Sequence, residues 1–278
     1  MKILSIPGGG VFGMAPLEAL ARSGVAGKFD LYAGTSIGSA VAALSALDAV
    51  NDKSVQLFRS RLPKIFERRI IDRLRPWRTP THKDGGLNDT LRMILPGSLG
   101  EVPKPFVAVA MDMNRRQPKV FSSYGEDDKS RPLWEVCRAS CAAQTYFKPW
   151  KGYGDGGPMA NNPSLVAVIE ALRRGVAPLE DIELLHVGTG NDSGDYSPGS
   201  TQGWSYLRWA LWLIPAMLHG AGDRLHDQAC KRLPLKRYVR VDFTRDARWR
   251  MNDPGVADLI LEQWDAEITR ASEIIKEF

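Results

Sequence analysis

Cysteine and histidine are scarce in this sequence, with three of the first and four of the second among 278 residues. Cys137, Cys141 and Cys230 are odd in number and include no C-x-x-C pair. That excludes a disulfide framework and a thiolate zinc cluster, and it fits a reducing compartment. His82, His186, His219 and His226 stand in no catalytic signature. His186, inside Leu184-Leu185-His186-Val187, reads as a buried sheet position. Long apolar runs are missing too: no stretch reaches the roughly eighteen uncharged residues of a membrane-crossing helix. The opening Met1-Lys2-Ile3-Leu4-Ser5-Ile6 runs straight into glycines, without the apolar core of a signal peptide. A cytoplasmic location is expected, with peripheral membrane contact left open. There are no internal repeats and no low-complexity tracts. The net charge of +5 permits an anionic partner without choosing one, and nothing selects nucleic acid.

What is present is an ordinary globular balance, 44% hydrophobic and 25% charged residues. Apolar runs read as strands at 2–6, 29–33, 106–111, 119–122, 182–187 and 238–243. Helical patterns occupy 13–22, 36–47, 133–142, 163–173 and 254–276. Their alternation predicts an α/β fold of three layers, a mostly parallel central sheet with helices on both faces. The chain reads as one domain, 1–278, with a basic, Pro-containing cap-like insertion at about 57–86.

Two strand–turn–helix corners carry the chemistry. Gly8-Gly9-Gly10 is backbone with few side chains in the way, suited to aiming N–H groups at an oxyanion. Gly34-Thr35-Ser36-Ile37-Gly38 is G-x-S-x-G, the turn that lifts a serine hydroxyl above a sheet and onto a helix N-terminus. Ligands of such sheets sit beyond the carboxyl ends of the strands, where both corners fall. A nucleophile beside an oxyanion hole suggests acyl transfer.

The serine needs a base. With no histidine in a suitable context, two aspartates compete, Asp84-Gly85-Gly86 and Asp155-Gly156-Gly157. Asp84 follows a charged, Pro-rich stretch and reads as surface turn chemistry. Asp155 follows the ordered-looking Ala142-Ala143-Gln144-Thr145-Tyr146-Phe147 and precedes Asn161-Asn162-Pro163, a helix start. Asp155 is the preferred base.

Taken together and in order, these blocks resemble the patatin-like phospholipases, serine acyl hydrolases built on a Ser–Asp dyad. The likeness runs through Gly8-Gly9-Gly10-Val11-Phe12-Gly13, the Ser36 elbow, the run 142–149 and Asp155-Gly156-Gly157 with Ala160-Asn161-Asn162-Pro163. The resemblance implies Ser36 and Asp155 as catalytic residues. It implies Gly8, Gly9, Gly10 and Ile37 as the oxyanion hole, with Gly34, Gly38, Gly156 and Gly157 in support. It implies a membrane lipid substrate, needs no metal or organic cofactor, and leaves room for an anionic surface, a homo-oligomer and an activating small molecule. The chain departs from the family's first block: Pro7 replaces an acid and Phe12 an arginine, the residue that would grip a headgroup phosphate.

Rival readings are a dinucleotide site, since Gly8-x-Gly10-x-x-Gly13 satisfies G-x-G-x-x-G, and a catalytically silent lipid-binding or regulatory module of the same fold. Asp30 begins the second strand rather than ending it, which counts against the dinucleotide site. Two surfaces remain. The stretch 59–83 carries nine Lys and Arg against Glu67 and Asp72, with Ile65, Phe66, Ile70, Ile71, Leu74 and Trp77 interleaved. It reads equally as a packed cap or a dock for anionic lipid. The stretch 204–218, with Trp204, Trp209 and Trp212, reads first as a buried helix or subunit contact and second as an interfacial lid.

Overall fold

The computed structural model describes residues 1–68, 80–192, 202–215, 217, 222–246 and 248–278. At its centre lies β1 (Lys2–Ile6), whose Ile3, Leu4 and Ile6 are fully buried. Parallel to it run β2 (Leu31–Thr35) on one side and β6 (Glu183–Val187) on the other. Beyond them lie β3 (Phe106–Asp112) and β8 (Arg237–Val241), also parallel to their neighbours. The hairpin strand β4 (Gln117–Ser122) closes the β3 edge antiparallel. With β5 (Tyr153–Asp155) this makes a seven-stranded sheet, and β7 (Asn191–Asp192) and β9 (Thr244–Arg245) form a separate pair.

Side chains alternate along each strand, so the sheet separates two cores. Leu4, Ile6, Tyr32, Phe106 and Leu185 join the larger one. On that face pack α1 (Met14–Ser23), α2 (Ile37–Ala46), α3 (Asp52–Ile65), Asp84–Ile94 and the C-terminal pair Val256–Gln263 and Asp265–Glu277. Ile3, Leu31, Ala33, Val107 and Leu184 form the smaller core with Ala167, Val168 and Ala171 of Ser164–Arg173 and Cys230 of Gly222–Arg232. The expected three-layer α/β arrangement is the one observed.

Several elements differ from the sequence reading. The second strand starts two residues later, because its register to β1 and β3 runs through Gly34 and Thr35. The C-terminal helix breaks at Trp264, whose buried ring stacks on Phe243 at 5.1 Å. The cap-like insertion is not separate at either end. Its first residues belong to α3, which opens with an Asn51–Ser54 capping box and buries Phe58, Leu62 and Ile65. Its last residues begin the helix Asp84–Ile94. Positions 69–79, including Arg69, Arg73 and Trp77, lie outside the described residues.

Asp84 is no surface turn. It accepts from Nη2 of Arg138 at 2.7 Å, and Arg138 is fully buried. His186 is buried as expected, its Nδ1 on the Ser164 hydroxyl at 3.2 Å. Nor is the tryptophan helix, Tyr206–Pro215, buried throughout. Tyr206, Leu207 and Leu213 are 95%, 70% and 50% exposed, while Trp204, Trp209 and Trp212 form a cluster in which Trp212 meets the other two rings edge to face. Among the described residues, no helix is long and apolar enough to cross a membrane.

Candidate functional site

Sheet register explains how two distant residues meet. Residues 107–112 of β3 pair with β4 on one edge. On the other edge β2 pairs with β3 up to Thr35↔Val109, and β5 takes over antiparallel from Asp155↔Ala110. The two strands therefore arrive end to end along a single neighbour, one finishing at Ser36 and the other at Asp155. There the Ser36 side chain comes near enough to the Asp155 carboxylate to favour its charged form.

The Ser36 turn is strained and held. Its backbone stands at φ 53, a region costly for any residue with a Cβ. The Ser36 N–H donates to the Ser140 hydroxyl at 2.8 Å, and that hydroxyl donates onward to the Val109 carbonyl at 2.6 Å. The Ser36 carbonyl accepts from the Ser39 N–H and hydroxyl at 2.9 and 2.6 Å. The flanking glycines are required by close approach. A Cβ on Gly34 would lie 2.4 Å from the Gly38 carbonyl oxygen, and one on Gly38 would lie 2.2 Å from that of Ile6. Gly38 thus lets α2 sit directly on the end of β1.

Asp155 is 2% exposed. Burial pushes its carboxyl up to about 6, against the opposing pull of the nearby Ser36 side chain and of the hydrogen bond from the Gly157 N–H at 2.7 Å. Its backbone is fixed by N–H donation to Ala142 O at 3.0 Å and by the Gln144 side chain on its carbonyl, also at 3.0 Å. Gly156 lies against Val109 O, where a Cβ would stand 2.5 Å away.

The first glycine corner divides its roles. Gly8 is an anchor: its N–H donates to Asn161 O at 3.3 Å, and its carbonyl accepts from the Thr189 hydroxyl at 2.8 Å and Asn161 Nδ2 at 3.3 Å. The N–H groups of Gly9, Gly10 and Ile37 donate to no acceptor among the described residues. Gly10 stands at φ +60 with Met251 O 2.3 Å from where its Cβ would be. Phe12 is fully buried under the Arg245 guanidinium, 4.7 Å from its ring centroid, and does not line the cleft. Ser140 holds the Ser36 N–H and Thr189 the Gly8 carbonyl. Thr189 falls in Val187-Gly188-Thr189-Gly190, a weaker echo of the family, whereas no spacing in the sequence singles out Ser140. Each contributes a hydroxyl whose role depends entirely on tertiary placement.

Ser36, Asp155 and the free amides open into one cleft enclosing about 940 Å³, including space open to solvent. Its floor is apolar, made by the buried Phe58, Leu62 and Ile65 of α3 and Leu87 and Leu91 of Asp84–Ile94. Its mouth is formed by the half-buried Gln144, Tyr146, Met251 and Asn252. Such a cavity takes a long apolar chain on one side of a polar reacting centre. Among the described residues, no group of three or more His, Cys, Asp or Glu is placed to hold a metal ion.

The sequence model of the patatin-like phospholipase family matches residues 4–168. A relative from Arabidopsis thaliana, "Probable inactive patatin-like protein 9", is 27% identical over 71% of this chain and 62% of that protein. The "cGAMP-activated phospholipase" of Escherichia coli is 25% identical over 81% of this chain and 70% of that protein. The "85/88 kDa calcium-independent phospholipase A2" of Rattus norvegicus is 30% identical over 60% of this chain, but the match spans 23% of that protein.

Proposed function

The chain belongs to the patatin-like phospholipase family, and from that premise we propose that it is a serine acyl hydrolase cleaving fatty-acyl esters of lipids through Ser36 and Asp155. One observation carries the reading: Ser36, on a strained turn, and the buried Asp155 carboxylate line the same apolar cleft. Asp155 accepts the Ser36 proton as Oγ attacks the ester carbonyl. The N–H groups of Gly9, Gly10 and Ile37 receive the oxyanion, each worth roughly 3–4 kcal/mol by analogy with measured cases. Collapse expels the lipid alcohol, which takes the proton back from Asp155. Water then gives a proton to Asp155 and attacks the acyl-enzyme. A second collapse frees the fatty acid and restores the Ser36 hydroxyl. A carboxylate is a weak base toward serine, and the dry, raised-pKa position of Asp155 narrows that gap.

The apolar floor supports a fatty-acyl chain, and the membrane is the natural source of that substrate. The relative named as inactive keeps a second reading in play, a silent lipid-binding module of the same fold. A relative named as cGAMP-activated likewise makes an activating small molecule a fit subject for screening. A fluorophosphonate probe separates enzyme from silent module: it should label the wild type and not Ser36→Ala. Absence of labelling with wild-type protein would favour the silent module.

A further inference from the structure

Three amides receive the oxyanion in the cycle above, and each is only as well aimed as the carbonyl of its own peptide. A peptide unit is planar and trans, so fixing its C=O also fixes its N–H in the opposite direction. The Ile37 amide is aimed by its own corner, since the Ser36 carbonyl accepts from the Ser39 N–H and hydroxyl at 2.9 and 2.6 Å. The Gly10 amide is aimed in the same local way, because the Gly9 carbonyl accepts from the Phe12 N–H at 3.2 Å. The Gly9 amide has no such brace from its neighbours. Its peptide carries the Gly8 carbonyl, which accepts from the Thr189 hydroxyl at 2.8 Å and from Asn161 Nδ2 at 3.3 Å. These partners stand 181 and 153 residues away along the chain.

Glycine at both ends of that peptide makes an outside brace necessary. A Cβ on Gly8 would lie 2.5 Å from Asn161 Oδ1 and 2.9 Å from Ser36 Cβ, and one on Gly9 would lie 2.5 Å from Thr189 Oγ1. The peptide therefore sits against Ser36 with no side chain of its own to resist turning over. Turned over, it would aim a carbonyl oxygen at the developing negative charge in place of an N–H. A donor on the carbonyl also polarises the amide and strengthens its N–H as a donor. Thr189 is itself buried and held by β8 and the residue after it. The Gly188 N–H donates to the Val241 carbonyl at 2.8 Å, and the Gly190 N–H to the Asp242 carboxylate at 3.1 Å. That carboxylate is fixed in turn by Arg240 Nη2 and by Asn191 Nδ2, both at 2.6 Å.

We propose that Thr189 is a positioning residue of the oxyanion hole, its hydroxyl keeping the Gly8–Gly9 peptide turned so that the Gly9 N–H meets the oxyanion formed at Ser36. The assignment rests on Ser36 as the nucleophile.

The test sets Thr189→Val, which keeps the shape and loses the hydroxyl, beside Thr189→Ser, which keeps the hydroxyl. On a soluble monomeric ester, Thr189→Val should lose about thirtyfold in kcat, short of the roughly hundredfold or more lost when an oxyanion donor is deleted outright. KM should move by less than about twofold, because the amide meets full negative charge only in the transition state. Thr189→Ser should recover most of the loss.

Inhibition by an alkyl trifluoromethyl ketone and by the methyl ketone of equal chain length gives the second readout. Ser36 Oγ adds to the carbonyl carbon of the first, its proton passing to Asp155, and leaves an oxyanion for the amides to hold. The second stays a ketone. Thr189→Val should weaken the fluoroketone by about the factor lost in kcat/KM and leave the methyl ketone unchanged. Equal weakening of both marks a collapsed cleft and overturns the proposal, as does a fluoroketone bound as tightly by Thr189→Val as by wild type. Thr189→Ala, which introduces no new contact, reads the same contrast if the valine methyl unfolds the protein. Failure of both variants to fold would make the hydroxyl a bond of the fold alone and overturn the proposal. Ser36→Ala controls for the nucleophile. If it binds the fluoroketone as tightly as wild type, the serine reading fails and this assignment with it. If it binds weakly while Thr189→Val binds normally, only the role of Thr189 is wrong.

Discussion

Asp155 meets two opposed demands, to be buried and to be charged. Its folded value of about 6 lies above the ordinary 3.8, so the folded protein holds this proton more tightly than the unfolded chain. Folding stability is therefore untouched at pH values below the ordinary value. It falls as pH rises from about 4 to about 6, and the full cost, on the order of 3 kcal/mol, is present above that. Two outcomes are expected. Ester hydrolysis should rise with pH through about 6 as the base ionises, a limb read from kcat/KM against pH. Asp155→Asn should abolish turnover yet raise the melting temperature at neutral pH by several degrees, because it deletes a buried charge. A destabilised Asp155→Asn protein would show that the carboxylate holds the fold together. Ser36→Ala should be equally inactive, and the double variant no worse than either single, as residues of one catalytic unit are non-additive.

The helix Leu133–Ser140 ties the site to its surroundings. Its end presents the Ser140 hydroxyl to the Ser36 N–H. Two residues earlier, the buried Arg138 clamps the helix Asp84–Ile94 through Asp84 and Asn88, both at 2.7 Å. Ser140→Ala leaves the partly buried Ser36 N–H without its acceptor and should cost about 1 kcal/mol by denaturant unfolding. Turnover should fall while the KM for a soluble ester barely moves. Asp84→Ala leaves a buried guanidinium without its counter-charge and should cost about 3 kcal/mol or more. The protein that remains folded should still react with a fluorophosphonate. If Asp84→Asn is inactive and Asp155→Asn active, the base has been misassigned.

The same two aspartates show what local sequence can and cannot say. Both are followed by two glycines, and the difference between them is set by Val109, Ala110 and Ala142, which hold β5 in place. Strand β5 has three residues, too few for any periodicity to register. The elbow was legible because Gly34 answers to Gly38 and Ser39 within its own strand–helix corner, although Gly38 answers to the end of β1. Helix α3 was hidden by its basic residues and Pro63, although Asn51 with Ser54 marks its start.

At the scale of the molecule, the alternation of strands and helices was enough to read the layered sheet, whereas exposure at its rim was not legible. The helix Tyr206–Pro215 turns Leu207 and Leu213 outward beside the tryptophan cluster, an apolar surface of the kind that marks interaction sites. Adding lipid vesicles to Ser36→Ala protein should shift tryptophan emission to the blue. Trp209→Ala with Leu213→Ala should reduce that shift, while an unchanged spectrum in wild-type protein would remove this helix from any lipid contact. Chelators should leave ester hydrolysis unchanged, since each proton transfer in the cycle is assigned to a side chain of the protein. Loss in EDTA with recovery on adding calcium would require a different mechanism.

The meeting of β2 and β5 along one edge of β3 has a consequence for biosynthesis. Ser36 leaves the ribosome early, whereas its partner follows roughly 120 residues later, and a contact of such long range forms only after the intervening chain has organised. During most of translation the serine is an ordinary alcohol with no base beside it. Truncated products ending before Asp155 should therefore hydrolyse no ester, which an assay of residues 1–150 beside the full chain on one soluble ester reads directly.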